Sequence, residues 1–450
     1  MRVLILGGGT VGAEVAERLC ARGHDVTVVE RNEENASELD DKLDARVIRG
    51  DASQASVLFL ADAMAADVAF ALTGDDSTNL VASRVCKAMG ARRVIARVFS
   101  PELRSSTSFD YLRYFDIDRL LSIEYLTAVE LTRRIREPGA MLIEHFACGS
   151  LEMQDVVVTN KKSKLTNRPL HDLKLPPEVR VAAIKRRDRI TIATASDRLL
   201  PDDHATLIGA REQVENVKSQ LMERKSARQN VVVVGGGEIG FNVASVLAAR
   251  NYNVKIIERR RDRCDFLTSR LKTATVICGD GRRKNFLDEQ NVGRADAFIA
   301  CAGDDEYNIL SCVEAREIGA KKSLAVVANP DYASVVGKLG VDEAVSPFAV
   351  VGRQAEGLTR EGALVFQNSE LFSGPIDVLE LEVASDSAVT YAPLKDLQFP
   401  KPTLLAAVIR ENAALTPNAS FEFKAKDQVV ALTMEENISG VVGLFESKRK

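Results

Sequence analysis

The 450-residue sequence predicts an α/β protein of A-B-A′-B′ plan: two doubly wound parallel-sheet domains, each followed by a small α+β domain. Three observations predict it. An apolar run, Val3-Leu4-Ile5-Leu6, empties into Gly7-Gly8-Gly9-Thr10-Val11-Gly12, a G-x-G-x-x-G spacing. The device returns as Val231-Val232-Val233-Val234 followed by Gly235-Gly236-Gly237-Glu238-Ile239-Gly240. Later landmarks repeat in step. Glu30 maps onto Glu258 at the same spacing of 228 that relates Gly7 to Gly235, and at 229 Gly50-Asp51, Gly74-Asp75-Asp76, Asn79, Gly90 and Pro101 map onto Gly279-Asp280, Gly303-Asp304-Asp305, Asn308, Gly319 and Pro330. A continuous β-branched and aliphatic run marks a strand buried on both faces of a parallel sheet, and the glycines permit a tight turn that approaches a phosphate. The helix that follows offers its free N–H groups to the anion. These are Rossmann-type domains.

Over residues 1–122 apolar runs alternate with helical patterns, the rhythm of β-α-β units. Strands are expected near 2–6, 25–30, 45–49, 68–73, 94–98 and 118–121, and helices near 11–22, 33–43, 78–89 and 101–112, two of them ended by Gly23 and Gly90. A helix over 125–136 is broken by Glu137-Pro138-Gly139. Shorter strands follow, near 141–148, 151–158, 179–186, 190–194 and 205–209, then a polar helix over 211–223; Pro176-Pro177 and Pro201-Asp202-Asp203 supply turns. At Asn230 the chain starts again, and the smaller segment repeats too. The nine residues from Leu165 to Leu173 align with those from Val389 to Leu397 at a spacing of 224, as Val181-Ala182-Ala183-Ile184 does with Leu405-Ala406-Ala407-Val408. The boundaries that result are 1–122, a linker helix over 123–139, 140–224, 230–346, a linker helix over 347–363, and 364–450.

Composition narrows the function. Sixty basic against sixty-four acidic residues leave a net charge of -4, no global electrostatic reason to bind nucleic acid. Local basic clusters such as Arg259-Arg260-Arg261 and Arg282-Arg283-Lys284 read as solvated faces. The seven cysteines are scattered without a C-x-x-C, as expected of reduced thiols in a cytosolic protein. Met1-Arg2-Val3 already begins the first strand, leaving no room for a cleavable leader, and no apolar run approaches the ~18 residues of a membrane span, so no membrane insertion is expected. No H-E-x-x-H, G-x-S-x-G or Walker lysine appears, and His24, His145, His171 and His204 fall at no Rossmann strand end. No catalytic residue is assigned and no metal site is expected.

In the repeated site Gly7, Gly9 and Gly12 serve the turn, the approach of phosphate and the helix–strand contact, with Thr10 and Val11 between them; Gly235, Gly237 and Gly240 repeat those roles. Glu30 and Glu258, at the end of the second strand, stand where a carboxylate accepts hydrogen bonds from an adenosine ribose. A carboxylate there repels a 2′-phosphate and favours NAD(H) over NADP(H). ATP and ADP carry the same ribose, and the motif alone does not separate them from NAD. Asp51 and Asp280 follow the third strand, as an adenine-edge contact or a plain turn residue. Thr73 and Gly74, and Gly303 in the second copy, follow the fourth strand at the edge where ligands of such sheets bind. Of Asp75-Asp76 and Asp304-Asp305 one member of each is expected to cap a helix, and Asn79 and Asn308 are weaker ligand candidates. Arg97 closes the fifth strand within reach of phosphates, where the second copy has Val326. Glu238 replaces Thr10, so the two sites are expected to differ.

With glycine loop, ribose acid, Gly-Asp after strand three and Gly-Asp-Asp after strand four all present twice, nearly the whole chain resembles the RCK/KTN family. That resemblance implies RCK N-domains that bind NAD(H) or adenine nucleotides, each followed by an RCK C-domain. It implies a homodimer or homotetramer forming a cytoplasmic ring, peripheral on the inner face of the cell membrane beneath a potassium-translocating membrane subunit. Nucleotide identity would change the shape of the ring and gate the pore, with no chemistry. An NAD-dependent oxidoreductase and an RCK-type regulator of a different ion transporter remain the alternatives.

Overall fold

The structure is a computed structural model and describes residues 1–104, 109–135, 144–146, 151–187, 189–222, 228–248, 252–333, 335–359, 376–410 and 413–446. Cys148, most of the strand expected over 141–148 and the ends of both linker segments lie outside the described residues. The chain divides into two compact units, one of residues 1–135 with 228–359 and the other of 136–227 with 360–450.

In the first unit the elements run β1 (Arg2–Leu6), α1 (Thr10–Ala21), β2 (Asp25–Glu30), α2 (Glu33–Lys42), β3 (Arg46–Arg49), α3 (Ala55–Leu60), β4 (Val68–Ala71), α4 (Asp76–Met89), β5 (Arg93–Arg97), α5 (Tyr111–Phe115), β6 (Arg119–Leu121) and α6 (Ile123–Arg134). The second unit opens with β7 (Glu144–Phe146), β8 (Leu151–Val157), β9 (Val179–Arg186), β10 (Arg189–Ile192), β11 (His204–Gly209) and α7 (Arg211–Leu221). The first unit resumes with β12 (Asn230–Val234), α8 (Glu238–Ala248), β13 (Asn253–Glu258), α9 (Arg261–Arg270), β14 (Thr275–Cys278), α10 (Lys284–Glu289), β15 (Ala297–Ala300), α11 (Asp305–Glu317), β16 (Ser323–Val326), α12 (Pro330–Ala333), β17 (Glu343–Val345) and α13 (Pro347–Leu358). The second unit closes with β18 (Ile376–Glu382), β19 (Thr403–Arg410), β20 (Ala413–Leu415), β21 (Gln428–Met434) and α14 (Ile438–Phe445).

Both Rossmann sheets are parallel, in the orders β3-β2-β1-β4-β5-β6 and β14-β13-β12-β15-β16-β17. Leu4, Ile5 and Leu6, like Val231, Val233 and Val234, are 0–1% exposed, as strands covered by helices on both faces must be. The order reverses at β1 and β12, which places a crevice beyond the carboxyl ends of those strands. Two expectations change locally. The helix expected over 101–112 is a single turn at Pro101–Arg104 and the separate α5, and α3 was not expected at all.

Within this unit the two Rossmann domains exchange helices. Ala128 and Leu131 of α6, which leaves the first domain, and Ile135 at its C-cap are buried in one cluster with Val231, Val233, Val243, Ala244 and Leu247 of the second. Arg134 of α6 pairs with Glu343 at 2.8 Å and its carbonyl accepts from Lys322 Nζ at 2.6 Å. Reciprocally, α13, which leaves the second domain, packs on α1 of the first. Gly352 there leaves room for the Arg18 side chain, and Glu356 meets Arg18 and Arg22 at 3.3 and 3.2 Å.

The second unit holds two antiparallel sheets, β10-β9-β11-β8-β7 and β18-β21-β19-β20, with matching order in the shared strands. Each carries the same forked pair, from the last residue of β9 or β19 to the residue before β11 or β21, Arg186 on Asp203 and Arg410 on Asp427, every bond 2.7–2.8 Å. Both aspartates are 1% exposed, and the fork compensates the burial of charge. Met153, Ala182 and Ile208 share a cluster with Val378, Ala407 and Leu432, so the two small domains pack face to face.

Candidate nucleotide sites

Gly7 and Gly12, with their counterparts Gly235 and Gly240, sit in the tight backbone settings that a turn and a helix–strand contact require. Gly7 and Gly235 sit at φ +102° and +100°, a region where a side chain strains the backbone, and any Cβ would press on the chain leaving β4 or β15. Gly12 and Gly240 lie so close to the carbonyl oxygens of Gly7 and Gly235 that a Cβ would overlap them, which is the close contact of helix with strand. Gly9 and Gly237 are different: an added Cβ meets nothing within 4 Å, and the same holds for Gly74 and Gly303. These four face open space at the crevice. Gly9 is also the N-cap of α1 and makes no side-chain cap bond, so the N–H groups of Thr10 and Val11 open the helix there.

The acids complete each loop. Glu30 Oε2 accepts from Gly8 N at 2.6 Å and its Oε1 from Asn32 N at 2.7 Å; Glu258 does the same with Gly236 N at 2.6 Å and Arg260 N at 2.7 Å. Each carboxylate therefore holds the glycine loop and the strand end in one geometry. Lone pairs remain on both oxygens for ribose hydroxyls.

Several sequence candidates serve the scaffold. Asp75 and Asp304 cap α4 and α11 through Thr78 N and Tyr307 N, and the neighbouring Asp76 and Asp305 accept from Phe99 and Ser100 N and from Ala328 and Asn329 N. Asn79 and Asn308, the weaker ligand candidates, are 0% exposed with their amides spent on Thr73 and Arg97 O and on Ala302 and Val326 O. They tie the fourth strand to the fifth, and they confirm Val326 as the structural counterpart of Arg97. Thr73 is drawn into the same knot, its hydroxyl 2.7 Å from Asn79 Oδ1. Asp51 accepts from Ser53 N and Oγ, which hold its carboxyl below the usual range, in a turn. Arg97 stacks on Phe99 at 4.0 Å and meets Glu124 at 3.7 Å, its Nε buried without a partner, and burial lowers its pKa.

Two residues of the second site were not singled out from the sequence. Tyr307 accepts from Gly281 N at 2.9 Å and its hydroxyl lies 3.2 Å from Asp280, whose carboxylate also takes Arg282; burial drives the phenol up to about 12. Arg263 of α9 donates from Nε to Gly236 O at 2.5 Å and from Nη2 to Glu238 at 2.9 Å. The signal for Arg263 was Glu238 itself, a carboxylate at a helix start that needs a cation in reach. Three of the histidines stand elsewhere, His24 beside the N-terminal amine, His171 on Ala195 O and His204 on Asp155, and His145 falls on β7. Among the described residues no cluster of three or more His, Cys, Asp or Glu could hold a metal, and no helix is long and apolar enough to cross a membrane.

This doubled geometry agrees with the comparisons. The sequence pattern of the TrkA-N domain matches residues 3–122 and 231–347, and that of the TrkA-C domain matches 153–222. The chain is 31% identical over 460 residues to the Trk system potassium uptake protein TrkA of Vibrio alginolyticus, covering 99% of both. It is 31% identical over 447 residues to the TrkA homolog of Archaeoglobus fulgidus, covering 99% of this chain and 100% of the relative. The fold is that of the crystal structure of the GsuK RCK domain, at TM-score 0.60 and 18% identity over 98% of this chain and 94% of that one. The GsuK channel bound to NAD matches at TM-score 0.59 and 17% identity, over 99% and 78%. Two TrkA-N domains of doubly wound RCK type, matched end to end by relatives of the same plan, place this chain in the TrkA family of Trk system potassium uptake proteins.

Proposed function

We propose that this chain is the nucleotide-sensing regulatory subunit of a potassium-uptake system and catalyses no reaction. It takes NAD(H), or ATP and ADP, at two Rossmann sites and acts on a TrkH/TrkG-like potassium-translocating membrane subunit from the cytoplasmic face of the membrane. The observation that carries this reading is the pair of glycine loops, each held by its own carboxylate, Glu30 buried and Glu258 half-buried, and each opening at one glycine to unfilled space. The relatives' names supply the transport context. In the first site Gly9, Thr10, Val11 and Gly74 would hold phosphates and Glu30 the ribose; in the second, Gly237, Gly303 and Glu258.

The helix exchange supports coupling between sites. The phosphate position of the first site is the N-terminus of α1, and α1 is the helix on which α13 of the other domain packs. The second site opens at α8, against which α6 packs. A nucleotide that favours one packing of these helices over another shifts the population, by about 1–3 kcal/mol in typical cases. Phe59, Leu60 and Met64, 58–67% exposed, offer an apolar surface for self-association into a ring.

The test is calorimetry of NADH and ATP on the wild type and on Glu30→Ala and Glu258→Ala, with NADH absorbance followed in parallel. Binding without NADH consumption, weakened in each single variant, is expected. If both variants bind every nucleotide like the wild type, the site assignment fails.

A further inference from the structure

The two glycine loops are alike in backbone and unlike in charge. In the first, Thr10 is exposed and the residue matching Arg263 on α2 is the exposed, uncharged Asn35. In the second, Glu238 opens α8 and its carboxylate is taken by Arg263 at 2.9 Å. Arg263 is not a loose surface side chain. It is 15% exposed, bonded to the carbonyl of Gly236 within the loop and stacked over Phe266 at 4.4 Å, and Phe266 in turn lies 5.7 Å from Phe241 of α8. The loop of the second site thus carries a fixed cation already neutralised by a carboxylate of its own. Arg104, from the first Rossmann domain, also lies in the field of Glu238, with its Nε buried and unbonded.

We propose that the Glu238–Arg263 pair makes the second site select nucleotides by phosphate charge, admitting a dinucleotide and rejecting a triphosphate. This rests on the nucleotide-sensing reading. The N-terminus of a helix attracts anions, but here a carboxylate sits beside the place where phosphates would lie. The inner pyrophosphate of NAD carries one charge on each phosphorus. ATP brings further charge on its terminal phosphate, which must approach Glu238 or take Arg263 from it. The first site has no such carboxylate on its loop and accepts either ligand on the strength of Glu30 and the open glycines.

The experiment titrates NADH and ATP separately into the full chain carrying Gly9→Ala, which weakens the first site so that the second is read apart from it, and into the same chain with Glu238→Thr or Arg263→Ala added. The Glu238→Thr change is expected to tighten ATP at least about tenfold while NADH changes less than about threefold, so the ratio of the two constants falls. Arg263→Ala, which leaves Glu238 without its counter-charge, is expected to weaken ATP further. An unchanged ATP-to-NADH ratio in Glu238→Thr overturns the proposal, because a purely structural role would move both ligands together. The wild-type chain separates the two layers of the argument. If it binds neither nucleotide at either site, the nucleotide-sensing reading itself is wrong; if its first site binds and the ratio at the second is unmoved, only the charge selection is wrong.

Discussion

Replacing Leu131 with alanine tests the helix exchange on which the proposed communication between the sites rests. Leu131 belongs by sequence to the first half of the chain, is 0% exposed, and is buried among Val231, Val243, Ala244 and Leu247 of the second. Leu→Ala at a fully buried site costs about 2.7–5 kcal/mol, through lost transfer energy and the cavity left behind. Taking about 3 kcal/mol as the share felt by local opening, and about 1.4 kcal/mol for each tenfold step, amide exchange should quicken by about two orders of magnitude. The exchange pattern carries the prediction: the faster amides lie in β12 and α8, about a hundred residues from the substitution in sequence, and in α6 itself. Leu58→Ala, in the core of the first Rossmann domain with Leu4, Leu6 and Ala69, is the control and should quicken β1 and β4. Hydrogen exchange read by mass spectrometry resolves these segments. Faster exchange in Leu131→Ala confined to residues 1–122 would refute the exchanged packing.

Three further outcomes are expected. Gly9→Ala should leave folding stability within about 0.5 kcal/mol, since φ is -66° and open space receives the methyl, yet weaken nucleotide at the first site at least about tenfold, by calorimetry. Gly12→Ala should instead destabilise the first domain by about 1–3 kcal/mol or more in denaturant titration, because its Cβ has only the Gly7 carbonyl to displace. Glu343, pushed up by burial but held below its ordinary value by hydrogen bonds from Lys322 and Arg134, stabilises the docking of α6 fully above pH 4.5 and loses that contribution as pH falls through its lowered pKa. The difference in denaturation midpoint between wild type and Glu343→Gln should therefore shrink below pH 4.5; a constant difference would contradict the assignment.

The parts of this structure legible in the sequence are those fixed by local rules. β1 and β2 fall on the residues expected, because a short β-branched and aliphatic run that empties into a glycine loop, or that follows a helix ended by Gly23, reads as a buried strand of a parallel sheet. The duplication was legible because glycine and carboxylate landmarks keep their spacing whatever the sequence between them does. α3 escaped because it spans six residues with Phe59 and Leu60 exposed, so it carries no amphipathic period. Asn79 and Asn308 looked like ligand candidates because a polar residue at a sheet edge is ambiguous until its hydrogen bonds are seen. The helix exchange was not legible for a different reason: the apolar stripe of Ala128, Leu131 and Ile135 announces burial, but the aliphatic surfaces of α1 and α8 are chemically interchangeable as partners. Arg263 was hidden because its role depends on a contact across 25 residues of chain with Glu238.

The central claim is that nucleotide occupancy of these sites regulates potassium movement. Potassium flux into vesicles holding the membrane protein that co-purifies with this chain, measured with the chain present and with NADH or ATP added, tests it most directly. The account predicts that flux depends on which nucleotide is added, and that Glu30→Ala and Glu258→Ala blunt that dependence while still binding the membrane protein. Flux that is the same with and without nucleotide, for a chain shown to be bound to its partner, would contradict it.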